Sequence, residues 1–224
     1  MKTVAFVPMK LNNERLPGKN TKAFDDGTPL FEHILRSLGQ ADGIDEVFVY
    51  CSDTRLMHQL PTGVHFLERD PILDRSDTPI TDVLIAFAND IVADVYVLAH
   101  ATAPFLSPET INRAVSDVQS GDFDSALTVA KVQEFFWIDG RPMNFDPLNI
   151  ARTQDLTPMY SETTGLYVYR RDLLLEHHRR VGFSPSLIEV SKIEAIDINE
   201  PIDFSIANAV NSFSQERLSA GIGQ

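Results

Sequence analysis

Three short apolar runs stand out in the first hundred residues: Thr3 to Pro8 (TVAFVP), Glu46 to Cys51 (EVFVYC) and Asp94 to Ala99 (DVYVLA). Each is rich in valine or aromatic residues and gives way to polar or small ones, the pattern of interior strands in a parallel sheet covered on both faces. Between the first two, Leu30 to Leu38 has apolar residues at 30, 31, 34, 35 and 38, which predicts a helix laying one stripe on the sheet. Residues 79 to 90 predict a second helix with Pro79 near its first turn. Residues 108 to 119 predict a third, with Ser107 as N-cap and Pro108 in the first turn. Asp124 to Val129 reads as a fourth strand. From Lys131 to Pro158 the periodicity breaks, and Gly140, Pro142 and Pro147, with Trp137 beside Phe135 and Phe136, predict an inserted hairpin or arm with an apolar face. Order resumes with a strand at Gly165 to Tyr169 and a helix from Arg171 to about His178. Ile188 to Ile193, an acidic stretch around Asp197 and a last helix over Ile202 to Val210 close the chain.

Alternating strands and helices predict an α/β fold with a doubly wound, mostly parallel sheet. With no Gly/Ser linker, repeat or low-complexity tract, residues 1–224 are expected to form a single domain carrying an inserted arm at about 131–158.

Charge narrows the function. Thirty-two acidic residues against 19 basic ones give a formal net charge of −13, a surface that repels nucleic acid and anionic membranes. An anionic substrate therefore needs a local cluster of cations. The apolar run Ile91 to Ala99 is broken by Asp94 and falls short of the roughly 20 residues of a membrane helix. Pro8 and Lys10 end the N-terminal apolar stretch too early for a signal peptide, so a cytoplasmic protein is expected. The single cysteine, Cys51, excludes an internal disulfide and is expected to be a buried packing residue.

The needed cations follow the first strand. VPMKLNNERLPGKN (Val7 to Asn20) carries Lys10, Arg15 and Lys19, with Lys22 just beyond. Loops at the carboxyl ends of parallel strands are where open α/β sheets bind ligands. Gly18 permits tight turning, Pro17 restricts the bend, and Asn12 and Asn13 can bond backbone or ligand. Such a loop can wrap a triphosphate, although a solvated loop offsetting surface acid is the alternative. It is neither GxGxxG nor GxxxxGK[ST], so neither a dinucleotide fold nor a P-loop is supported.

This segment resembles the signature loop of the sugar-acid cytidylyltransferases, which make CMP-activated N-acylneuraminate, related nonulosonic acids and 3-deoxy-manno-octulosonate. Those enzymes usually have arginine where this chain has Lys10, and small residues at Leu11, Asn12 and Asn13. The resemblance implies a Rossmann-like nucleotidyltransferase fold and a nucleotide site of Pro8, Lys10, Asn12, Arg15, Lys19 and Asn20, with Lys10 and Lys19 at the CTP phosphates.

It continues at FLERDPILDRSDTPITD (Phe66 to Asp82), where Arg69 matches a nucleotide-contacting arginine and Arg75 is a looser candidate. Asp77 and Thr78 are expected to cap the helix that follows, and capping and solvation also account for Asp74 and Asp82. In LAHATAPFLSP (Leu98 to Pro108), Thr102 and Pro104 match, whereas His100 replaces the usual glutamine and Leu106 a common arginine. His100 is a hydrogen-bonding contact or a satisfied core histidine. ARTQDLTPMYSETTGLYVY (Ala151 to Tyr169) supplies Arg152, Gln154, Tyr160, Glu162 and Thr163 as sugar-side contacts, together with Thr102. Arg152 has the fork suited to a carboxylate, and Glu-Thr-Thr-Gly replaces a shorter turn. Tyr167 and Tyr169 read as strand residues.

EAIDINEPIDF (Glu194 to Phe204) resembles the family's Asp-x-Asp metal segment. Asp197 matches the first aspartate, Asn199 stands at the second, and Asp203 reads as a helix cap. The resemblance implies Mg2+ (or Mn2+) at Asp197 and Asn199, with Lys10, Lys19 and Asp197 as the catalytic charges. It also implies CTP and a small anionic sugar acid as substrates and a homodimer formed through the arm. Rival expectations are a catalytically silent nucleotide-binding homologue and a uridylyl- or adenylyltransferase with another acceptor. No triad, nucleophile elbow or HExxH supports hydrolase chemistry.

Overall fold

In the computed structural model, which describes residues 1–13 and 15–219, the apolar runs become the centre of a seven-stranded sheet. Strands β1 (Thr3–Met9), β2 (Glu46–Cys51), β3 (Val64–Glu68) and β4 (Val95–Ala99) are mutually parallel. They are followed by β5 (Ser125–Val132), a two-stranded hairpin of β6 (Trp137–Ile138) and β7 (Arg141–Pro142), then β8 (Met159–Arg170) and β9 (Pro185–Glu189). The main sheet runs β3-β2-β1-β4-β8-β5-β9, with β8 antiparallel to both neighbours.

Side chains alternate between the two faces of β1. Ala5, Val7 and Met9 pack with α1 (Leu30–Gln40) and α3 (Pro108–Ser120); Val4 and Phe6 pack with α2 (Ile80–Asp90) and α4 (Arg171–His177). The ring of Phe6 stacks on Phe87 of α2 at 3.9 Å between centroids. Cys51 is fully buried and free, as a packing residue. Ser107 caps α3 by accepting from the Thr110 N–H, with Pro108 in the first turn.

Several expectations need correction. β3 was not foreseen: its alternating, half-exposed VHFLE lies on the sheet edge. Pro79 occupies the N-cap position of α2, and neither Asp77 nor Thr78 caps it; Asp77 pairs with Arg75 at 2.8 Å, and the Thr78 hydroxyl donates to the Ile72 carbonyl. Of the closing segment Ile188 to Ile193, only its start lies in a strand, β9, which ends at Glu189, and the last helix, α5 (Pro201–Ser219), outruns Val210.

Connections from β1 run to β2 on one side, whereas β4 lies on the other, so the strand order diverges between β1 and β4. That is the switch point where such sheets open a crevice at the strands' carboxyl ends. A third apolar cluster sits over this end: Leu16 and Phe24 from the loop after β1, with Leu30 at the start of α1, pack with Ile198, Phe204 and Ala207.

The Glu-Thr-Thr-Gly turn is a bulge within β8. Pairing jumps from Leu127↔Tyr167 to Val129↔Glu162, and Thr164 takes a left-handed φ of 59°. Gly165 has close neighbours: a Cβ there would lie 2.8 Å from the Ala103 Cβ and 3.1 Å from Leu106 Cδ1. Gly165→Ala is therefore expected to cost about 1–3 kcal/mol through overpacking, read as a lowered denaturant midpoint. An unchanged midpoint would contradict this packing.

Candidate active site

The loop leaving β1 is shaped by its own polar groups. Gly18 adopts a left-handed φ of 67° and opens a 3-10 turn at Lys19–Thr21. Buried Asn20 donates to the Lys10 carbonyl at 3.1 Å, closing the loop on itself. Asn20 thus orders the loop through its side chain. The Lys19 Nζ reaches across to the Ile198 carbonyl at 2.6 Å, which fixes it beside the Asp197 segment.

The result is a cleft of about 250 Å3 lined by Lys10, Asn13, Arg15, Leu16, Lys19, Ser76 and Asn199. Lys10 and Ser76 also border a second hollow of about 240 Å3, whose walls include Pro8, Arg69, Arg75, Thr78 and His100. The two share an edge and span the ends of β1 and β4. A larger hollow of about 790 Å3 lies at the opposite ends of the strands, around Asp94, Arg170 and Asp172. There Asp94 accepts from the Lys2 N–H and Arg170 pairs with Asp172, so its main charges are internally matched. The crevice side carries the chemistry.

Within the crevice, burial lowers the Lys19 ammonium below the usual lysine value; Asp197 and Asp203 oppose that shift, and Arg15 adds to it. Asn13 lines the cleft with a buried Oδ1 that has no partner, whereas its neighbour Asn12 is exposed and outside the lining. The amide facing the cleft is therefore Asn13, not the Asn12 expected from sequence.

Arg69 is 4% exposed. It donates to the Met9 carbonyl at 2.9 Å and pairs with Asp74, which also accepts from the Ser52 hydroxyl. The Lys10 Nζ donates to the Asp74 carbonyl at 3.2 Å. Arg69 thus belongs to the floor of the hollow. Asp74, expected to be a cap or a solvated acid, is the bracket joining β1, β2 and Lys10. Asp203 does cap α5, accepting from the Asn199 and Glu200 N–H groups at 2.9 and 2.8 Å.

His100 follows the end of β4, its N–H donating to the Gly165 carbonyl. Its Nε2 is sealed from solvent without a partner, so it is not a satisfied core histidine. Burial, with Arg180 adding and Asp197 opposing, lowers its pKa to about 4. Thr102 accepts the Ile198 N–H through its carbonyl at 2.9 Å, tying the Asp197 segment to this end of the sheet. Leu106 is 1% exposed in the core, so the departure there does not remove a charge from the pocket wall.

The expected sugar-side residues are not gathered into the crevice. Arg152 and Gln154 lie exposed at the 3-10 turn Thr153–Asp155, with Arg152 paired to Asp155 at 2.7 Å. Tyr160 is exposed on β8, Glu162 accepts from the Tyr167 hydroxyl at 2.8 Å, and Thr163 is buried with its hydroxyl on Thr128 at 2.7 Å. Thr163 is thereby a bulge residue, not a pocket contact. Sequence reasoning missed Ser76 and Arg180; the HHRR run at 177–180 was the available signal for the latter.

Among the described residues no group of three or more His, Cys, Asp or Glu side chains suits a metal. Asp197 and Asn199 nonetheless meet, the Asn199 Nδ2 donating to Asp197 Oδ2 at 2.6 Å, and Asn199 lines the Lys10–Lys19 cleft. One carboxylate and one amide oxygen form a sparse oxygen set. That fits Mg2+, which is commonly held by one or two protein oxygens plus phosphates and waters.

The His100 environment has a consequence for stability. The folded ring stays neutral down to about pH 4, whereas an unfolded histidine protonates near 6.5. In that window the unfolded chain binds the extra proton, so stability is full above about pH 6.5 and falls as pH drops toward 4. His100→Gln is expected to lose less stability than the parent between pH 7 and pH 5 in denaturant titrations. Equal losses would refute a ring held neutral by its surroundings.

Comparisons with known proteins agree with this architecture. The family described as Cytidylyltransferase matches residues 4–215. A CMP-N,N'-diacetyllegionaminic acid synthase of Legionella pneumophila is 26% identical, over 97% of this chain and 100% of that protein. An N-acylneuraminate cytidylyltransferase of Oncorhynchus mykiss is 25% identical, over 91% of this chain and 49% of that protein. A 3-deoxy-manno-octulosonate cytidylyltransferase of Pelobacter propionicus is 27% identical, covering 86% and 82%. Among solved structures, a CMP:2-keto-3-deoxy-manno-octonic acid synthetase complexed with CTP superposes with a TM-score of 0.71 at 16% identity, covering 96% of this chain and 100% of that one. A sheet that opens between β1 and β4, with its cations on the first loop, is therefore this chain's version of a shared fold, and the chain belongs to the cytidylyltransferase family.

Proposed function

We propose that this protein transfers the cytidylyl group of CTP to a hydroxyl of a neuraminate-like, other nonulosonic or ulosonic acid, releasing pyrophosphate. The carrying observation is the convergence of Lys10, Arg15 and Lys19 with Asn199 on one cleft in a chain of net charge −13. The relatives that act on sugar acids support the acceptor class.

In this reaction the acceptor oxygen attacks the α-phosphorus, the bond to the β-phosphate bridge oxygen breaks, pyrophosphate leaves with the electron pair, and the hydroxyl proton is released. No covalent enzyme intermediate is required; positioning and charge neutralisation carry the rate. Lys10 and Lys19 balance the charge that grows on the leaving phosphates. Lys19 starts from a fixed place, because its Nζ already rests on the Ile198 carbonyl. Asp197 and Asn199 would hold Mg2+ or Mn2+, which supplies charge neutralisation at phosphate oxygens and lowers the pKa of a bound hydroxyl. The buried Arg69–Asp74 pair keeps the floor rigid beneath Lys10.

The arm suits self-association. Trp137, Leu148 and Ile150 are 60%, 96% and 64% exposed, and Phe145 packs against Phe135 and Trp137 at 4.7 and 5.5 Å between centroids. Apolar area of this kind marks an interface, and a second copy is the proposed partner. No helix among the described residues is long and apolar enough to cross a membrane, and action in the cytoplasm, beside the CTP supply, is part of the proposal.

One preparation tests the whole reading: pyrophosphate release from CTP, UTP or ATP with N-acetylneuraminate and 3-deoxy-manno-octulosonate, with sedimentation run alongside. Release is expected with CTP and a sugar acid only, to be abolished by chelator, and to come from a particle of two chains. Asp197→Ala is expected to raise the Mg2+ concentration for half-maximal rate by at least roughly 10-fold. No release with any acid, or release undiminished by chelator, would overturn the assignment.

A further inference from the structure

We infer that Arg180, in the turn after α4, receives the carboxylate of the acceptor; this rests on the cytidylyl-transfer proposal and supplies its missing recognition group. Among the described residues six arginines, Arg69 and Arg152 among them, are ion-paired with an aspartate or glutamate; Arg15, Arg113, Arg141 and Arg179 are exposed, and Arg171 donates to the Ala88 carbonyl and the Tyr96 hydroxyl. Arg180 is half-buried, yet among the described residues no acid lies within ion-pair distance of it. Its guanidinium instead lies over the ring of Tyr167, 3.8 Å from the centroid.

A half-buried guanidinium without an anion is costly to maintain, and the cost is offset when an anionic ligand arrives. Its stacking surface is fixed. Tyr167 is fully buried in β8, and its hydroxyl donates to Glu162 at 2.8 Å. Stacking on a fixed ring sets the plane of the fork and leaves its edge free for the two parallel hydrogen bonds that suit a carboxylate.

Position separates this arginine from the phosphate site. In the sheet the order is β1, β4, β8. Lys10, Arg15 and Lys19 follow β1, His100 follows β4, and Arg180 stacks over β8. Tyr167 is paired with Leu98, two residues before His100, so Arg180, over the Tyr167 ring, lies on the β8 side of the end of β4, beside the crevice. A ligand with its triphosphate over β1 brings its acceptor toward β8. Arg152 is a weaker partner, being exposed and already bound to Asp155.

The test uses the full-length protein with CTP, Mg2+ and the acid that the wild type turns over. Arg180→Ala is expected to raise KM for the acid about 10- to 100-fold while KM for CTP stays within about twofold. Arg180→Lys is expected to recover only part, because it restores charge without the fork. The methyl ester of the same acid tests the wild type directly: it should lose a similar factor, and Arg180→Ala should lose little more on the ester. Retained CTP KM shows that the variants are folded. An unchanged acid KM in Arg180→Ala, or an equal loss for CTP, overturns the inference and leaves cytidylyl transfer standing. A wild type that transfers to no sugar acid overturns both.

Discussion

The site depends on one packing event between distant parts of the chain. Leu16, Phe24 and Leu30, on the loop after β1 and the start of α1, share an apolar cluster with Ile198, Phe204 and Ala207 near the C-terminal end. Polar contacts reinforce it: Lys19 to the Ile198 carbonyl, the Asp25 N–H to Asn208, and Asn211 to Asp26. The Lys22 ammonium lies 4.1 Å from the Phe204 ring centroid. Without this cluster the loop cations and the Asp197–Asn199 pair would belong to separate surfaces. With it, groups nearly 180 residues apart face one cleft, and repulsion among the cations is held in check by Asp197 and Asp203.

The departures from the family pattern take on distinct meanings in this frame. Lys10 keeps its charge and is steadied from below by the Asp74 carbonyl, whose side chain holds Arg69. Leu106 fills the space under Gly165 and Ala103, so a charge there would be buried in the core. Asn199 turns its amide nitrogen to Asp197, which leaves oxygen atoms of both side chains for a hard cation. The β8 bulge brings Thr163 against Thr128 and lets Glu162 anchor the Tyr167 hydroxyl. These four departures are accommodated locally, and none closes the crevice.

Much of the fold was legible because β1, β2 and β4 are buried on both faces and so are written as uninterrupted apolar runs. β3 was not legible, since an edge strand with one partner tolerates His65 and Glu68 among its apolar residues. The direction of β8 was hidden for a related reason: GLYVY is equally apolar whichever way it runs. At the site, residue type identified the loop but not orientation. Asn12 and Asn13 have the same chemistry, and only the loop's path turns one inward. Arg152 and Arg180 are the same residue, and only tertiary contacts show that one is already paired with an acid and the other is not.

The central claim is that the cations gathered after β1 bind the nucleotide's phosphates. The most direct measurement is calorimetric titration of CTP into the wild type and into a Lys10→Ala/Lys19→Ala double variant at fixed ionic strength. Two charge-assisted contacts should together weaken binding by roughly 100-fold or more, with the loss shrinking as salt rises. CTP affinity equal to that of the wild type, in a variant that melts at the same temperature, would contradict the account.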